Sequence, residues 1–361
     1  MRSMKASPNL FIIYYHKILP RLGYEPSWRQ FDFELRYLKQ FFDIVTLDEV
    51  HAYLKGEWKP KRTSVVITFD DGYVDNLVYA YPLLKKHKIK ATLFAVASRI
   101  NQDADIGKMR PTLEDYWNGK VAFSELVEPV TMGEANTQFF VEGKSPDFMS
   151  VSELNSVKDH FDVEGHLNVH ARSFYEDRIL GVWDNRNTKS HPKYGVHYSD
   201  VNRYGECPYI GLPVFPSRNN IAVRQGKLKP EVKDYIQSLG KDFFEKPDYA
   251  QTLIKDLENR FPERLDFETV EEQKQRVDTE MRESKADLER LINQPVRYLS
   301  FPFGDHDDIS CEIASKYFDL AVTVEKDIVR PNQDPYRVPR GAIAKDVFSF
   351  LARVERFRWK K

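Results

Sequence analysis

Two groups of residues in this chain have the types and spacing that hydrolytic chemistry uses. Asp70 and Asp71 stand side by side at the end of an apolar run in "SVVITFDDGYVDN", and His166 and His170 stand four residues apart in "VEGHLNVH". An Asp-Gly pair after a strand can simply turn the chain and cap the next helix. Two adjacent carboxylates are harder to explain that way, because like charges repel at close range unless a cation or a shared proton offsets them. Neutral imidazole is a common ligand of zinc and related divalent ions, and this spacing lets two rings converge on one ion. One carboxylate with two imidazoles leaves coordination positions open, which is the catalytic rather than the structural pattern. The other carboxylate is then free to act as a base.

The surrounding elements must bring these groups together. Strand-like "NLFIIYY" is followed by a helical pattern with Phe31, Leu35, Leu38 and Phe42 on one face, then "SVVITF", a helix over about residues 76–87, and "ATLFAV". The rhythm restarts at "FDVEGH" and closes with a long helix bearing Val277, Met281, Leu288 and Leu291. After it come the strands "RYLSFP" and "LAVTV" and a last helix with Val347, Phe350, Leu351 and Val354 in register. Continuous apolar strands between amphipathic helices predict an α/β fold with a parallel sheet covered on both faces. Ligands of such folds bind at the carboxyl ends of the strands, where Asp70, Asp71 and His166 stand.

Two stretches interrupt the alternation. Residues 98–150 are irregular and polar, and residues 172–267 carry "VWDNRN", "HPKYGVHY" and "YIGLPVFPSRN", which interleave aromatics with Arg, Asn and His. A structureless loop that long is improbable in a compact domain, so 172–267 reads as an inserted subdomain or lid. Its residue mix suits sugar binding and ordinary loop packing alike. The expectation is a single catalytic domain over 1–361 with two large insertions.

Composition narrows the partners. With 54 basic and 55 acidic residues and a net charge of −1, the chain has no field that argues for nucleic acid or an acidic membrane. Cys207 and Cys311 sit in no metal or redox pattern and read as free thiols. The apolar run Leu10–Tyr15 is too short for a secretory h-region and reads as a first strand, and no run is long enough to cross a bilayer, so the expected location is cytoplasmic.

The motifs "VVITFDDGYVDN", "GHLNVH" and "YLSFPFG" resemble the first three motifs of the polysaccharide deacetylases, carbohydrate esterase family 4. The opening "YYHK" and the following "FELRYLKQFFDIVTLDEV" resemble the poly-N-acetylglucosamine deacetylase branch. The resemblance covers about residues 8–97, 150–172 and 270–357. It implies a distorted (β/α) barrel of about seven parallel strands that removes acetyl groups from acetylated sugars with a divalent metal, most often Zn2+, with Co2+, Ni2+ or Mn2+ as alternatives. Carried over, it implies Asp71, His166 and His170 as metal ligands, Asp70 as general base, and the backbone N–H of Tyr73 as an oxyanion donor. Phe301, Pro302 and Phe303 resemble a wall of the substrate groove, with His306 just beyond. The substrate would be an acetylated sugar, oligosaccharide or glycolipid.

The departures are equally specific. Leu167 and Ala171 replace the small polar residue and the proline that usually follow the two histidines, so support for the ligands must come from elsewhere, with Asn168 as a candidate. Ser300 stands where many members have an Arg that contacts the base; Arg340 of "VPRGAI" is the candidate substitute. No histidine follows His306, so the late Leu-x-x-His source of the general acid is missing. His16, delivered by the strand "FIIYY", is the preferred acid and His306 the second candidate. Two rival readings stand beside deacetylation: hydrolysis of another C–N bond such as a formamide, ureide or cyclic amide, and a non-catalytic carbohydrate-binding relative.

Overall fold

A computed structural model of the chain describes residues 8–184, 195–199, 202–343 and 345–360. Seven strands form one curled sheet: β1 (Leu10–Tyr15), β2 (Ser64–Asp71), β3 (Ala91–Ala95), β4 (Phe161–Gly165), β5 (Tyr298–Ser300), β6 (Leu320–Val322) and β7 (Gly341–Ala342). Their order is β6-β5-β4-β3-β2-β1-β7, and every pairing along it is parallel. A two-residue strand, Asp43–Ile44, pairs beside the start of β2. The sheet curls round because Val338, just ahead of β7, bridges Val322 at the end of β6, so the segment 338–342 touches both edges. This is the distorted seven-stranded (β/α) barrel that the family resemblance implies.

Alternation along the strands sorts the side chains. Phe11, Ile13 and Tyr15 of β1 and Val65, Ile67 and Phe69 of β2 belong to the large cluster formed with the helices, while Leu10, Ile12 and Val66 belong to the cluster that holds Phe94, Tyr298, Leu320 and Val322. All eight residues of β2 are buried, as both faces of a parallel sheet are covered. The helices supply the outer layer through apolar stripes at 3.6-residue spacing. Trp28–Phe41, capped by Ser27, buries Phe31, Leu35 and Leu38. Val270–Ile292, opened by a Thr269/Glu272 capping box, buries Val277, Met281, Leu288 and Ile292. Val347–Trp359 buries Phe350, Val354 and Phe357. In place of one helix over 76–87 there is a π turn, Asn76–Ala80, leading into the helix Tyr81–His87.

The two interrupting stretches are more ordered than their composition suggests. Residues 98–150 contain the helices Leu113–Trp117 and Met132–Glu142, and Phe148 returns to bridge Tyr73 beside the end of β2. Residues 172–267 build a second sheet from Arg172–Phe174, Val196–His197, Ser217–Asn219, Gly226–Leu228 and Leu265–Phe267. The helices Pro230–Ser238 and Tyr249–Arg260 close a separate apolar cluster over it, centred on Phe174, Phe215, Leu253 and Leu257. Residues 185–194 of the aromatic-rich motifs singled out above lie outside the described residues.

Candidate active site

The carboxyl ends of β1, β2 and β4 surround a cavity of about 220 Å3 lined by Tyr14, His16, Asp70, Asp71, His166 and His170, with Phe303 at its rim. A larger surface cleft of about 670 Å3 lies between the long helix and the second sheet, but it contains none of these groups. The chemistry therefore locates the site, not the size of the opening.

Both aspartates face the same cavity for a local backbone reason. Alternation puts Asp70 on the face of Val66 and Thr68, and would send Asp71 to the other side. Asp71 and Gly72 instead adopt the left-handed region, with φ of 75° and 81°, and the turn brings the second carboxylate back. Gly72 is needed there: a Cβ would be strained by its φ and would lie 3.3 Å from Ile100.

Asp71 Oδ1 faces His170 Nε2 at 3.3 Å and His166 Nε2 at 3.6 Å. The three side chains are buried and their ligand atoms lie within 4.8 Å of one another. His166 Nδ1–H donates to the Ser300 carbonyl at 2.7 Å, which fixes the tautomer and leaves the Nε2 lone pair toward Asp71. Burial lowers the pKa of both imidazoles, so they are neutral near pH 7. Burial alone would raise Asp71, but its pKa is lowered instead, and with the imidazoles neutral the Arg99 guanidinium is the positive charge beside it. Its Oδ1 is buried and accepts no hydrogen bond. A buried anionic oxygen without a donor, set against two imidazole lone pairs, fits a divalent cation.

Asp70 has a different environment. Arg340 grips it with both nitrogens, Nη1 to Oδ1 at 2.8 Å and Nη2 to Oδ2 at 3.0 Å. Arg340 is fully buried and is itself held by Thr68 Oγ1, Ser300 Oγ and the Thr323 carbonyl. Ser300, at the position where a basic residue was sought, thus contacts Asp70 indirectly, through an Arg delivered by the closing segment of the barrel. The guanidinium also lies 4.8 Å from the Tyr14 ring and 5.3 Å from Phe94.

The loop between the histidines is anchored from behind. Leu167 has a φ of 63°, and Glu280 of the long helix accepts the N–H groups of Asn168 at 2.7 Å and Val169 at 2.8 Å. The Asn168 side chain bonds Asp287, so support for His166 comes from the Ser300 carbonyl and not from Asn168. On the β1 side, Lys17 is fully buried between Asp75 and Asp147 and ties the residue after His16 to the loop after β2 and to residues 98–150. Burial alone would lower the Lys17 ammonium, but the two carboxylates hold it above its ordinary value.

The remaining expected site residues divide. His16 lines the cavity, edge-on to Tyr14 at 5.6 Å. Phe303 lines it too, its ring centroid 4.4 Å from that of His170. Phe301 and Pro302 do not: both are buried, and Phe301 belongs to the core cluster, so neither offers a face to a sugar. His306 is also displaced from the cavity, stacked on Phe301 at 5.6 Å with Nδ1 bonded to the Gly304 carbonyl. The Tyr73 side chain is buried against Phe148 and Lys17, which leaves its main chain as the part that follows the Asp71–Gly72 turn. Arg99, Glu280 and Tyr14 were not anticipated.

The strand ends of this parallel barrel thus gather an Asp-His-His set that fits a divalent cation and a second, guanidinium-bound aspartate. Among known proteins, residues 58–114 match the family model for polysaccharide deacetylase. The Bacillus subtilis polysaccharide deacetylase YxkH is 36% identical over 90 residues, 25% of this chain and 32% of its own. A poly-beta-1,6-N-acetyl-D-glucosamine N-deacetylase of Staphylococcus aureus is 37% identical over 98 residues, 26% of this chain and 33% of its own. The match thus spans about a third of the length of these curated relatives. In fold, a solved de-N-acetylase from Aggregatibacter actinomycetemcomitans covers 95% of this chain and 98% of its own, with a TM-score of 0.56 at 14% identity. The likeness to polysaccharide deacetylases therefore holds in sequence over residues 58–114, which carry Asp70 and Asp71, and the fold is that of the solved de-N-acetylase. Among the described residues, no helix is long and apolar enough to cross a membrane.

Proposed function

We propose that the protein is a metal-dependent hydrolase that removes acetyl groups from the N-acetylated sugars of a polysaccharide. The observation that carries this reading is the division of labour between two adjacent carboxylates in one cavity. One faces two imidazoles and the other is held by a buried guanidinium. A divalent cation bound by Asp71, His166 and His170 would polarise the acetyl carbonyl and acidify water; zinc suits the donor set, and cobalt, nickel or manganese would also fit. Asp70, kept in place by Arg340, takes the proton from the attacking water. The backbone N–H of Tyr73 donates to the developing oxyanion, and His16 protonates the departing amine nitrogen as acetate leaves. Phe303 offers an aromatic face to a sugar ring. The staphylococcal relative's name points to a polymer, which favours a polysaccharide over a glycolipid. Cytoplasmic placement goes with this reading only if the polymer is modified before export, and cell fractionation decides it. Residues 172–267 are read as a lid over the polymer.

The test measures metal content and acetate release together. Asp71→Ala loses the metal and all turnover, whereas Asp70→Asn retains metal and loses turnover. Equal metal loss in both variants overturns the assignment of roles. Release of formate or ring-opened product, with no acetate from any acetylated amino sugar, moves the protein to another C–N hydrolase class.

A further inference from the structure

Asp70 and Asp71 are each matched with a buried guanidinium, but at different distances. Arg340 closes on Asp70 at 2.8 and 3.0 Å, whereas Arg99 Nη1 stops 3.5 Å from Asp71 Oδ1, the oxygen that faces both histidines. Arg99 follows β3 in the short turn Ala97–Arg99 and is 2% exposed. Phe148 and Phe139 hold its guanidinium at 5.3 and 5.7 Å, and Nη2 donates to the His170 carbonyl at 3.4 Å. It does not line the cavity, so it does not reach a substrate. Its Nη1 makes no hydrogen bond, although a carboxylate oxygen lies 3.5 Å away. A guanidinium free to optimise that pair would close to about 2.8 Å. Packing against the edge-to-face pair of rings and the bond to the His170 carbonyl set it back and leave Oδ1 to another cation.

We propose that Arg99 is a positioning residue that fixes the charge of the metal centre, lowering its affinity for a divalent ion and raising the ion's electrophilicity. The inference rests on the metal reading above. With neutral imidazoles, the donor set and Arg99 sum to zero charge, so a bound dication keeps its full excess charge. Without Arg99 the set carries −1, which binds the ion more tightly and neutralises more of it. Arg99 also orients Asp71, which works in the opposite direction on affinity. Charge should win, because a fixed cation acts on a dication at short range where solvent screens little, whereas orientation is also supplied by the β2 end and the Gly72 turn.

Co2+ affinity, measured by competition with a chromophoric chelator, tests this on wild type, Arg99→Met, Arg99→Gln and Arg99→Lys, with circular dichroism confirming the fold. Met fills the space beside the two rings, Gln keeps a donor for the His170 carbonyl, and Lys keeps the charge. Both neutral variants should bind Co2+ about tenfold or more tighter than wild type, and Arg99→Lys should stay within about threefold of it. Acetate release per bound metal should fall at least about tenfold in the neutral variants alone. Equal or weaker Co2+ binding in either folded neutral variant overturns the proposal, since a purely orienting residue would weaken the site when removed; so does a lysine variant that behaves like methionine. A wild type that binds no Co2+ overturns the metal centre itself, a separate and distinguishable failure.

Discussion

The Asp70–Arg340 pair should couple the stability of the barrel to the charge state of Asp70, and Arg340→Met is the perturbation that exposes the coupling. The two side chains are 4% and 0% exposed, so solvent does not screen the pair. Arg340 donates five hydrogen bonds, to Asp70 twice and to Thr68, Ser300 and Thr323 once each. Methionine can occupy the stem's space but leaves a buried carboxylate without a partner, a change that costs about 3–5 kcal/mol. Asp70→Asn/Arg340→Met replaces both charges and removes that burden. The double variant should therefore be more stable than Arg340→Met alone, by roughly 1–3 kcal/mol. Urea unfolding with a chelator present, so that metal binding does not contribute, gives all four free energies of the cycle. A loss below about 1 kcal/mol for Arg340→Met, or a double variant that merely adds the two single losses, would refute the coupling.

Three further outcomes follow from the geometry. Glu280→Ala removes the acceptor for the Asn168 and Val169 N–H groups and should weaken metal binding about 10- to 100-fold, read by competition titration; unchanged affinity means the His-x-x-x-His loop holds itself. His16→Ala should keep the metal and lose about 10²-fold in kcat on an acetamide but far less on an aryl acetate, whose phenolate leaves unprotonated; equal losses assign His16 a positional role. Burial pushes Glu164 from 4.5 up to about 8, against the N–H groups of Tyr298 and Arg297. A carboxyl raised in the folded state contributes stability that is complete below its unfolded value and is lost as pH rises through its folded one. Wild type should therefore lose stability between those two values, by up to about 1.4 kcal/mol per pH unit, and Glu164→Gln should flatten the urea-midpoint curve there; parallel curves refute it.

Much of the site was legible because its residues stand at strand ends. The run Ser64–Phe69 and the "FDVEGH" strand announced themselves by apolar content, so Asp70, Asp71 and His166 had a place before they had a partner. The need for a counter-charge at Asp70, with Ser300 where an Arg was sought, pointed to Arg340. Arg99 and Glu280 carried no such signal: an Arg after an apolar strand and a Glu on a charged helix are ordinary surface residues in sequence. Only the fold, which brings Glu280 to Asn168 across 112 positions, shows that they are buried. Phe301 was open to a better reading. Tyr298 faces the cluster that includes Phe94, and Ser300 shares its side, so Leu299 and Phe301 must face the helices. Strand parity alone excludes Phe301 from the groove and leaves Phe303, beyond the strand with a φ of 60°, to reach it.

Parity also accounts for the pair of aspartates at the end of a buried strand. A strand can present one carboxylate to the cavity at Asp70, but its neighbour points away unless the backbone leaves the extended region at that residue. Asp71 does so at φ 75°, a conformation that costs a non-glycine residue about 1–2 kcal/mol, and Gly72 continues it at φ 81°, where a Cβ would be strained. The strain is sustained because Met149 N–H bonds the Gly72 carbonyl at 3.1 Å and Val74 N–H bonds the Asp147 carbonyl at 2.8 Å, which fastens the turn to residues 98–150. Those residues look like polar filler in the sequence. They set the angle at which the second carboxylate meets the histidines, and through Phe139 and Phe148 they hold Arg99 behind it.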